Sequence, residues 1–282
     1  MGRDSFEEHA IHGTVDFPVG IYDTHFEPAH RILFSLHYHR EFELLLVTRG
    51  KVRLQLEGDT FYLNQGEGIF INSGALHSAE SPEHQECGFI AIVFSPEFIA
   101  AKHENSYETY IRSVMDNELV IPRPLTDDII AIMRETNGWF QSRSFGYELF
   151  IKSNLLHIMA LCMAKARQSR RRKNDNKMDV VKNAIDYIHN NYQNAITLQD
   201  MADHTHVSRE HLCRVFKEVA ESSPVVYLNR YRVLQSAYLL RDTCKSISEI
   251  SSQCGFNNSS YFNKLFLRFL KCTPGEYRRK HR

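Results

Sequence analysis

The chain has 282 residues, 43% of them hydrophobic, enough for two domains with cores of their own. No run of 18 apolar residues occurs, which argues against a membrane-spanning helix, and the polar start MGRDSFEEH lacks the apolar stretch of a secretory leader. Lys+Arg and Asp+Glu balance at 34 each, yet residues 1–164 hold 12 basic against 23 acidic groups and residues 165–282 hold 22 against 11. A net of −11 beside a net of +11 points to a basic module suited to a polyanion, joined to an acidic one that is not. Gly2 does not open a myristoylation signal, because Phe6 stands where that signal needs Ser or Thr. Cysteines 87, 162, 213, 244, 254 and 272 form no CxxC pair, so they read as thiols of a reducing cytoplasm.

From residue 31 to about 95 the sequence predicts strands. LLLV at 44–47, KVRLQLEG at 51–58, DTFYL at 59–63, GIFIN at 68–72 and GFIAIVF at 88–94 are short and rich in branched or aromatic residues. Val52, Leu54 and Leu56 alternate with Lys51, Arg53, Gln55 and Glu57, the period-two pattern of a half-buried strand. Short strands without intervening helices predict an antiparallel barrel or sandwich.

Inside that stretch, His37-Tyr38-His39 followed by Glu43 and Gly50 has the spacing of the first cupin motif, and Gly66, Gly74 and His77 resemble the second. Positions 37, 39 and 43 share parity, which predicts that they point to one side of a sheet. Arg31 replaces the first motif's leading glycine, Asn72 the second motif's proline and Ser81 its terminal asparagine. His37, His39, Glu43 and His77 are therefore the candidate effector-binding residues. Three imidazoles and a carboxylate also suit Zn, Fe, Mn or Ni. The same side chains can instead hydrogen-bond sugar hydroxyls or a small acid, or form a satisfied barrel interior. No cofactor is expected.

At Ser95-Pro96-Glu97 a hydroxyl, a proline and an acid announce a helix, and Thr126-Asp127-Asp128 announces another. A third covers about 145–167, with Leu149, Leu156, Met159, Leu161 and Met163 among its apolar residues. It is long enough to pack against a second subunit, or simply to cap the barrel. KARQSRRRKNDNK at 165–177 carries seven positive charges and no apolar period, so it reads as a basic linker.

The last hundred residues repeat with a period near 50. Thr197-Leu198-Gln199-Asp200 answers to Ser246-Ile247-Ser248-Glu249, both with the spacing of a capping box. Turns follow at His206-Val207-Ser208 and Gly255-Phe256-Asn257-Asn258, and then Leu212 answers Phe262, Phe216 answers Phe266 and Pro224 answers Pro274. Each copy predicts a helix-turn-helix, and SPVVYLNRYRVLQSAYLLRD at 223–242 predicts a long helix joining them. Such a pair can enter successive major grooves about 34 Å apart on one face of DNA.

At these residues the sequence resembles the AraC/XylS family of bacterial regulators over 178–282. The strongest stretch is Ile247, Ile250, Cys254-Gly255-Phe256, Ser260-Tyr261-Phe262, Phe266, Thr273-Pro274 and Tyr277-Arg278, with Arg232, Ala237, Leu239 and Leu240 matching the connector. Glu221 and Lys271 stand where the family usually ends each recognition helix with glycine. The resemblance implies that Glu210, Cys213 and Arg214 in the first unit, and Ser259, Ser260, Asn263 and Lys264 in the second, face base edges. Arg and Lys donate to guanine and Asn pairs with adenine. Ser208, Arg209, His211, Lys217, Arg230 and Arg268 suit phosphates, which position the protein without specifying sequence. The resemblance also implies that sensing domains of this kind keep HxH and Glu without holding a metal.

The expected fold is α+β in two domains: a cupin-like antiparallel β-barrel with flanking helices over 1–164, a linker over 165–177, and an all-α domain of two helix-turn-helix units over 178–282. The expected function is a transcription regulator, an activator dimerising through its N-terminal region. Its expected partners are double-stranded promoter or operator DNA, a small polar effector with a sugar as the guess, and RNA polymerase, with no membrane. A metal-dependent cupin enzyme fused to DNA-binding repeats is the alternative, but no second catalytic constellation supports an enzyme. A ligand-free architectural DNA binder would leave the polar cluster of the barrel without a purpose.

Overall fold

The structure is a computed structural model that describes residues 12–14, 16–27, 32–82, 85–168 and 176–281. The chain divides into two compact units, Met1–Asn174 and Asp175–Arg282. Among the described residues no helix is long and apolar enough to cross a membrane.

Among the described residues, the two main sheets of the first unit are built from β1 (Val19–Phe26), β2 (Ile32–His37), β3 (Phe42–Arg49), β4 (Lys51–Leu56), β5 (Asp59–Asn64), β6 (Gly68–Ile71), β7 (His77–Glu80) and β8 (Cys87–Phe94). They form two antiparallel sheets, ordered β1-β8-β3-β6 and β2-β7-β4-β5. Strand β3 is covered on both faces. Leu45 and Val47 join Leu33, Leu54 and Ala79 of the other sheet in one core, whereas Phe42, Leu44 and Leu46 join helix residues in another. Double burial explains why β3 and β8 read as unbroken apolar runs rather than alternating ones. Strands β4 and β5 meet at Glu57-Gly58, both with positive φ, the two-residue turn that matches strand twist. Strand β1 lay outside the stretch predicted as strands, and β2 and β7 lay inside it without being singled out. VGIYDTHF carries Gly and Asp, and HSAE is short and polar, so neither shows the branched, aromatic signature.

The helices cover one sheet. Helix α1 (Pro96–Ile99) starts where expected, with Ser95 Oγ accepting from the Glu97 N–H, but lasts a single turn. A π-helical turn (Tyr107–Arg112) leads into α2 (Ser113–Met115), and β9 (Leu119–Val120) follows. Helix α3 (Asp127–Ser142) starts after Thr126, whose side chain does not cap the helix N–H groups; its hydroxyl accepts from Lys165 Nζ at 2.7 Å instead. Helix α4 (Tyr147–Lys165) seats Ile151, Leu155, Ile158, Met159 and Cys162 in the core with Ile129, Ile130 and Met133 of α3. Capping of the sheet therefore accounts for one side of α4.

The segment expected as a linker over 165–177 is structured at both ends. Lys165 closes α4 and its Nζ lies 3.2 Å from Asp128, and Arg167 and Gln168 form β10, paired with β9. A ladder of two residues needs only backbone groups, so absence of apolar period does not exclude it. Helix α5 then begins at 176; positions 169–175 lie outside the described residues, as do the segment MGRDSFEEH and Arg31.

The second unit is helical: α5 (Asn176–Asn191), α6 (Leu198–His204), α7 (Arg209–Ala220), α8 (Pro224–Asp242), α9 (Ile247–Gln253), α10 (Ser259–Leu270) and α11 (Pro274–His281). Both capping boxes form, Thr197 with Asp200 and Ser246 with Glu249. The α6–α7 turn passes through His206 at φ 55° and the α9–α10 turn through Gly255 at φ 80°, equivalent positions 49 residues apart. Glu221 and Lys271 end α7 and α10 in the left-handed region, at φ 50° and 60°. The missing glycines therefore leave the cap geometry intact, at a strain of about 1 kcal/mol each. Leu212, Val215 and Phe216 are buried under the first unit of the pair, and Phe262, Leu265 and Phe266 under the second.

Candidate functional site

The two helices that resemble readers of DNA present polar faces. On α7, Glu210, Arg214 and Lys217 are exposed and Cys213 and His211 half-buried; Ser208 and Arg209 lie exposed at its start. Ser208 Oγ caps the helix by accepting from the His211 N–H at 3.1 Å. Glu210 turns back to the same terminus, where its own N–H and the Ser208 hydroxyl hold its carboxyl below the usual range. Arg214 is held by neighbours one turn apart: Nη1 donates to Glu218 at 3.1 Å and Nη2 lies 3.1 Å from His211 Nδ1. Glu218 also accepts from Lys177 Nζ of α5 at 2.8 Å. Sequence reasoning missed Glu218, although its i,i+4 spacing from Arg214 is a readable signal.

On α10 the face is less charged. Ser259, Ser260, Asn263, Lys264 and Arg268 are exposed, and Asn258 caps the helix by accepting from the Tyr261 N–H at 2.9 Å. Arg230, on α8, is half-buried. The exposed Tyr261, named in the resemblance but given no contact with DNA, accepts from Asn229 of α8 at 3.2 Å.

In the first unit His37, His39, Glu43 and His77 converge, all buried, with His77 fully so. They do not owe this to shared parity along one strand. His37 ends β2 in one sheet, His39 lies in the β2–β3 loop, Glu43 is on β3 in the other sheet, and His77 opens β7. The chain crosses between sheets from 37 to 43, so the cluster bridges them. The Gly74 N–H donates to the His39 carbonyl at 2.7 Å, which ties the second motif to the first. Gly74 at φ 68° and Gly50 at φ 69° supply left-handed turns, and a Cβ at Gly50 would lie 2.3 Å from the Glu86 carbonyl. Asn72, in place of proline, donates to the Val114 carbonyl at 2.6 Å and so anchors the end of β6 to α2.

One carboxylate oxygen organises the cluster. Glu43 Oε2 lies 3.1 Å from Nε2 of both His39 and His77. Each imidazole also presents Nδ1 to a carbonyl: His37 to Ser35 at 2.8 Å, His39 to Glu41 at 3.2 Å, His77 to Ala75 at 2.8 Å. A carbonyl only accepts, so each Nδ1 carries a hydrogen and each neutral ring keeps a lone pair on Nε2. The contacts to Glu43 then need a shared proton or a cation. Burial, followed by the neighbouring His77 and His39, pushes His37 well below the ordinary histidine value. For Glu43 burial acts upward, but the hydrogen bonds from His39 and His77 prevail and hold it well below the carboxylate range.

Three nitrogens of His37, His39 and His77 lie within 4.8 Å of one another. Two nitrogens on one ion at about 2.1 Å stand no more than about 4.2 Å apart, so an ion requires the set to tighten. His12, which no motif signals, completes the surroundings: Nδ1 pairs with the Tyr22 hydroxyl at 2.9 Å and its ring meets His39 edge-on. A cleft of about 460 Å³ lies alongside, lined by Arg40, Glu41, Ser73, Ser95, Lys102 and Tyr107 among others. None of the four cluster residues lines it; its nearest link to them is Glu41, whose carbonyl holds His39.

Comparison with known proteins finds two family models, one in each unit. The family model described as the AraC-like ligand binding domain matches residues 22–159, and the one described as a helix-turn-helix domain matches 201–280. The chain is 28% identical to the HTH-type transcriptional regulator YdeC of Bacillus subtilis, over 98% of this chain and 96% of that protein. It is 24% identical to the lactose operon transcription activator of Staphylococcus xylosus, over 83% and 82% of the two chains. Among solved structures, ToxT from Vibrio cholerae shares the fold, with a TM-score of 0.52 at 16% identity over 92% of this chain and 97% of that one. With a ligand-binding domain of this kind on one unit and helix-turn-helix pairs on the other, the chain belongs to the AraC family of transcriptional regulators, which are not enzymes.

Proposed function

We propose that the chain activates transcription in the cytoplasm, as a homodimer on promoter DNA and in contact with RNA polymerase, when a small polar effector occupies the first unit. The observation that carries this reading is the cluster of His37, His39, Glu43 and His77, four buried polar side chains that converge on one another. Buried polar groups are costly unless paired. A ligand bearing hydroxyls can donate to the Nε2 lone pairs and to Glu43, which a purely apolar ligand cannot. The lactose operon activator of S. xylosus supports a carbohydrate as the effector class. In the DNA-binding unit, Cys213, Arg214, Ser259, Ser260, Asn263 and Lys264 read bases, with Glu210 released from its helix terminus to join them. Ser208, Arg209, His211, Lys217, Arg230 and Arg268 hold phosphates. On α4, Leu149 and Leu156 are 75% and 42% exposed seven residues apart, which favours a second copy as their partner.

A second reading rests on the hydrogen accounting at Glu43. A divalent cation held by His37, His39, His77 and Glu43 would meet the demand of the Nε2 lone pairs and the carboxylate together, with the three carbonyls fixing the rings. The separation of the nitrogens places it behind the polar effector. A thermal-shift screen of sugars and small acids against the full chain, run beside elemental analysis of the purified protein, separates the two. A stabilising sugar in a metal-free protein supports the first reading; one transition-metal ion per chain supports the second. Neither result would leave both readings refuted.

A further inference from the structure

The two helix-turn-helix units touch through more than the helix that joins them. Arg232 lies on α8, buried, and its guanidinium reaches back to the loop between α5 and α6: Nε donates to the Tyr192 carbonyl at 2.7 Å and Nη2 to the Asn194 carbonyl at 2.6 Å. That loop leads into the first unit's α6. The opposite wall of the contact belongs to the second unit. Gly255 sits in the α9–α10 turn, and a Cβ there would come within 2.3 Å of the Tyr192 carbonyl and 3.0 Å of the Arg232 nitrogens. Phe256, beside it, lies 5.8 Å from the guanidinium. The Tyr192 ring packs on the core formed by Phe256, Phe262 and Phe266. One main-chain carbonyl of the first unit is thus wedged into a notch of the second, with a buried cation as the pin.

A buried guanidinium answered by carbonyls rather than a carboxylate is an expensive way to gain stability alone. Its rigid fork, however, meets two carbonyls in one fixed geometry, which a flexible or apolar side chain cannot reproduce. We propose that Arg232, seated with Gly255 on the Tyr192 carbonyl, is the positioning residue that fixes the separation of α7 and α10, and hence the number of base pairs allowed between the two half-sites. The inference rests on both helices reading DNA. Two tethered units gain affinity over one only if geometry lets both engage together. A stiff tether concentrates that gain on one spacing, and a loose one spreads it over several.

The test uses the full chain and duplexes selected from a randomised DNA library. Affinity is measured for the selected duplex, for the same duplex with one base pair inserted between its halves, and for a duplex keeping only the half read by α7. The wild type should lose about tenfold or more on insertion. Arg232→Met should lose less than about threefold on insertion while binding the half-site as the wild type does. Arg232→Lys, which keeps the charge and one donor, should fall between. A folded Arg232→Met that retains the full insertion penalty would overturn the proposal, as would equal loss on whole and half sites, which marks a merely stabilising role. Should Arg232→Met fail to fold, Arg232→Lys decides alone: an undiminished penalty refutes the role. If no duplex is selected at all, the reading of the helices as DNA readers fails instead.

Discussion

The two units keep their polar chemistry in opposite places. The strand-built unit buries it: His37, His39, Glu43 and His77 sit within the sandwich, at most 8% exposed. The helical unit buries apolar side chains under α7 and α10 and turns Arg214, Lys217, Asn263 and Lys264 outward. A polar group withheld from water has to be paired within the fold, whereas a polar face in water stays free to meet a large, hydrated partner. The same contrast predicts different sensitivities to mutation.

The largest effect should come from the buried side. Glu43→Ala removes the acceptor shared by His39 and His77, and should destabilise the first unit by about 3–5 kcal/mol, read by thermal or denaturant unfolding of the full chain. An unchanged first transition would break the comparison. The same cluster should make this unit acid-sensitive. His37 and Glu43 both have folded-state values below their unfolded ones, so the unfolded chain binds more protons in each window. Stability is complete above about pH 6.5 and is lost as pH falls, first through His37 and then, below about 4.5, through Glu43. A stability that rose on acidification between pH 6.5 and 4.5 would contradict this.

On the exposed side the effects should be smaller and appear in binding. Arg214→Ala should cost about 1–3 kcal/mol and relax preference at one base step, whereas Lys217→Ala should weaken all sequences alike and lower the salt slope by about one. Selection from randomised duplexes checks both, and an exchange of the two outcomes would reverse the assignment of faces. The smallest effect concerns the left-handed ends of α7 and α10. Glu221→Gly or Lys271→Gly should raise the melting temperature, by up to about 1 kcal/mol of stability, with DNA affinity unchanged. A loss of stability in either variant would show that these caps carry no strain.

In the helical unit α6 to α10 were legible, because capping boxes and the 50-residue repeat are local signals, whereas α5, α11 and the left-handed conformation of His206, Glu221 and Lys271, which lack glycine, were not read. The barrel was legible where strands are apolar, and obscure where β1 carries Gly20 and Asp23 and where β7 is four residues long. Motif spacing identified the four members of the cluster, but not why they meet; the crossing from β2 to β3 is a tertiary fact that parity along one strand does not contain. His12 and Glu218 were missed for different reasons. His12 arrives from a segment with no motif, and Glu218 matters through its pairing with Arg214 and Lys177. The role of Arg232 was hidden because its acceptors are backbone carbonyls, which no side-chain pattern announces.

The most direct test of the account is the affinity of the full chain for its selected duplex, measured with and without the sugar found by screening, in the wild type and in His39→Ala. The effector should shift wild-type affinity by about 5- to 150-fold, the usual range of coupling between two sites. His39→Ala should abolish that shift and leave the effector-free affinity within about threefold of wild type. An undiminished shift in His39→Ala would contradict the assignment of the buried cluster as the sensor.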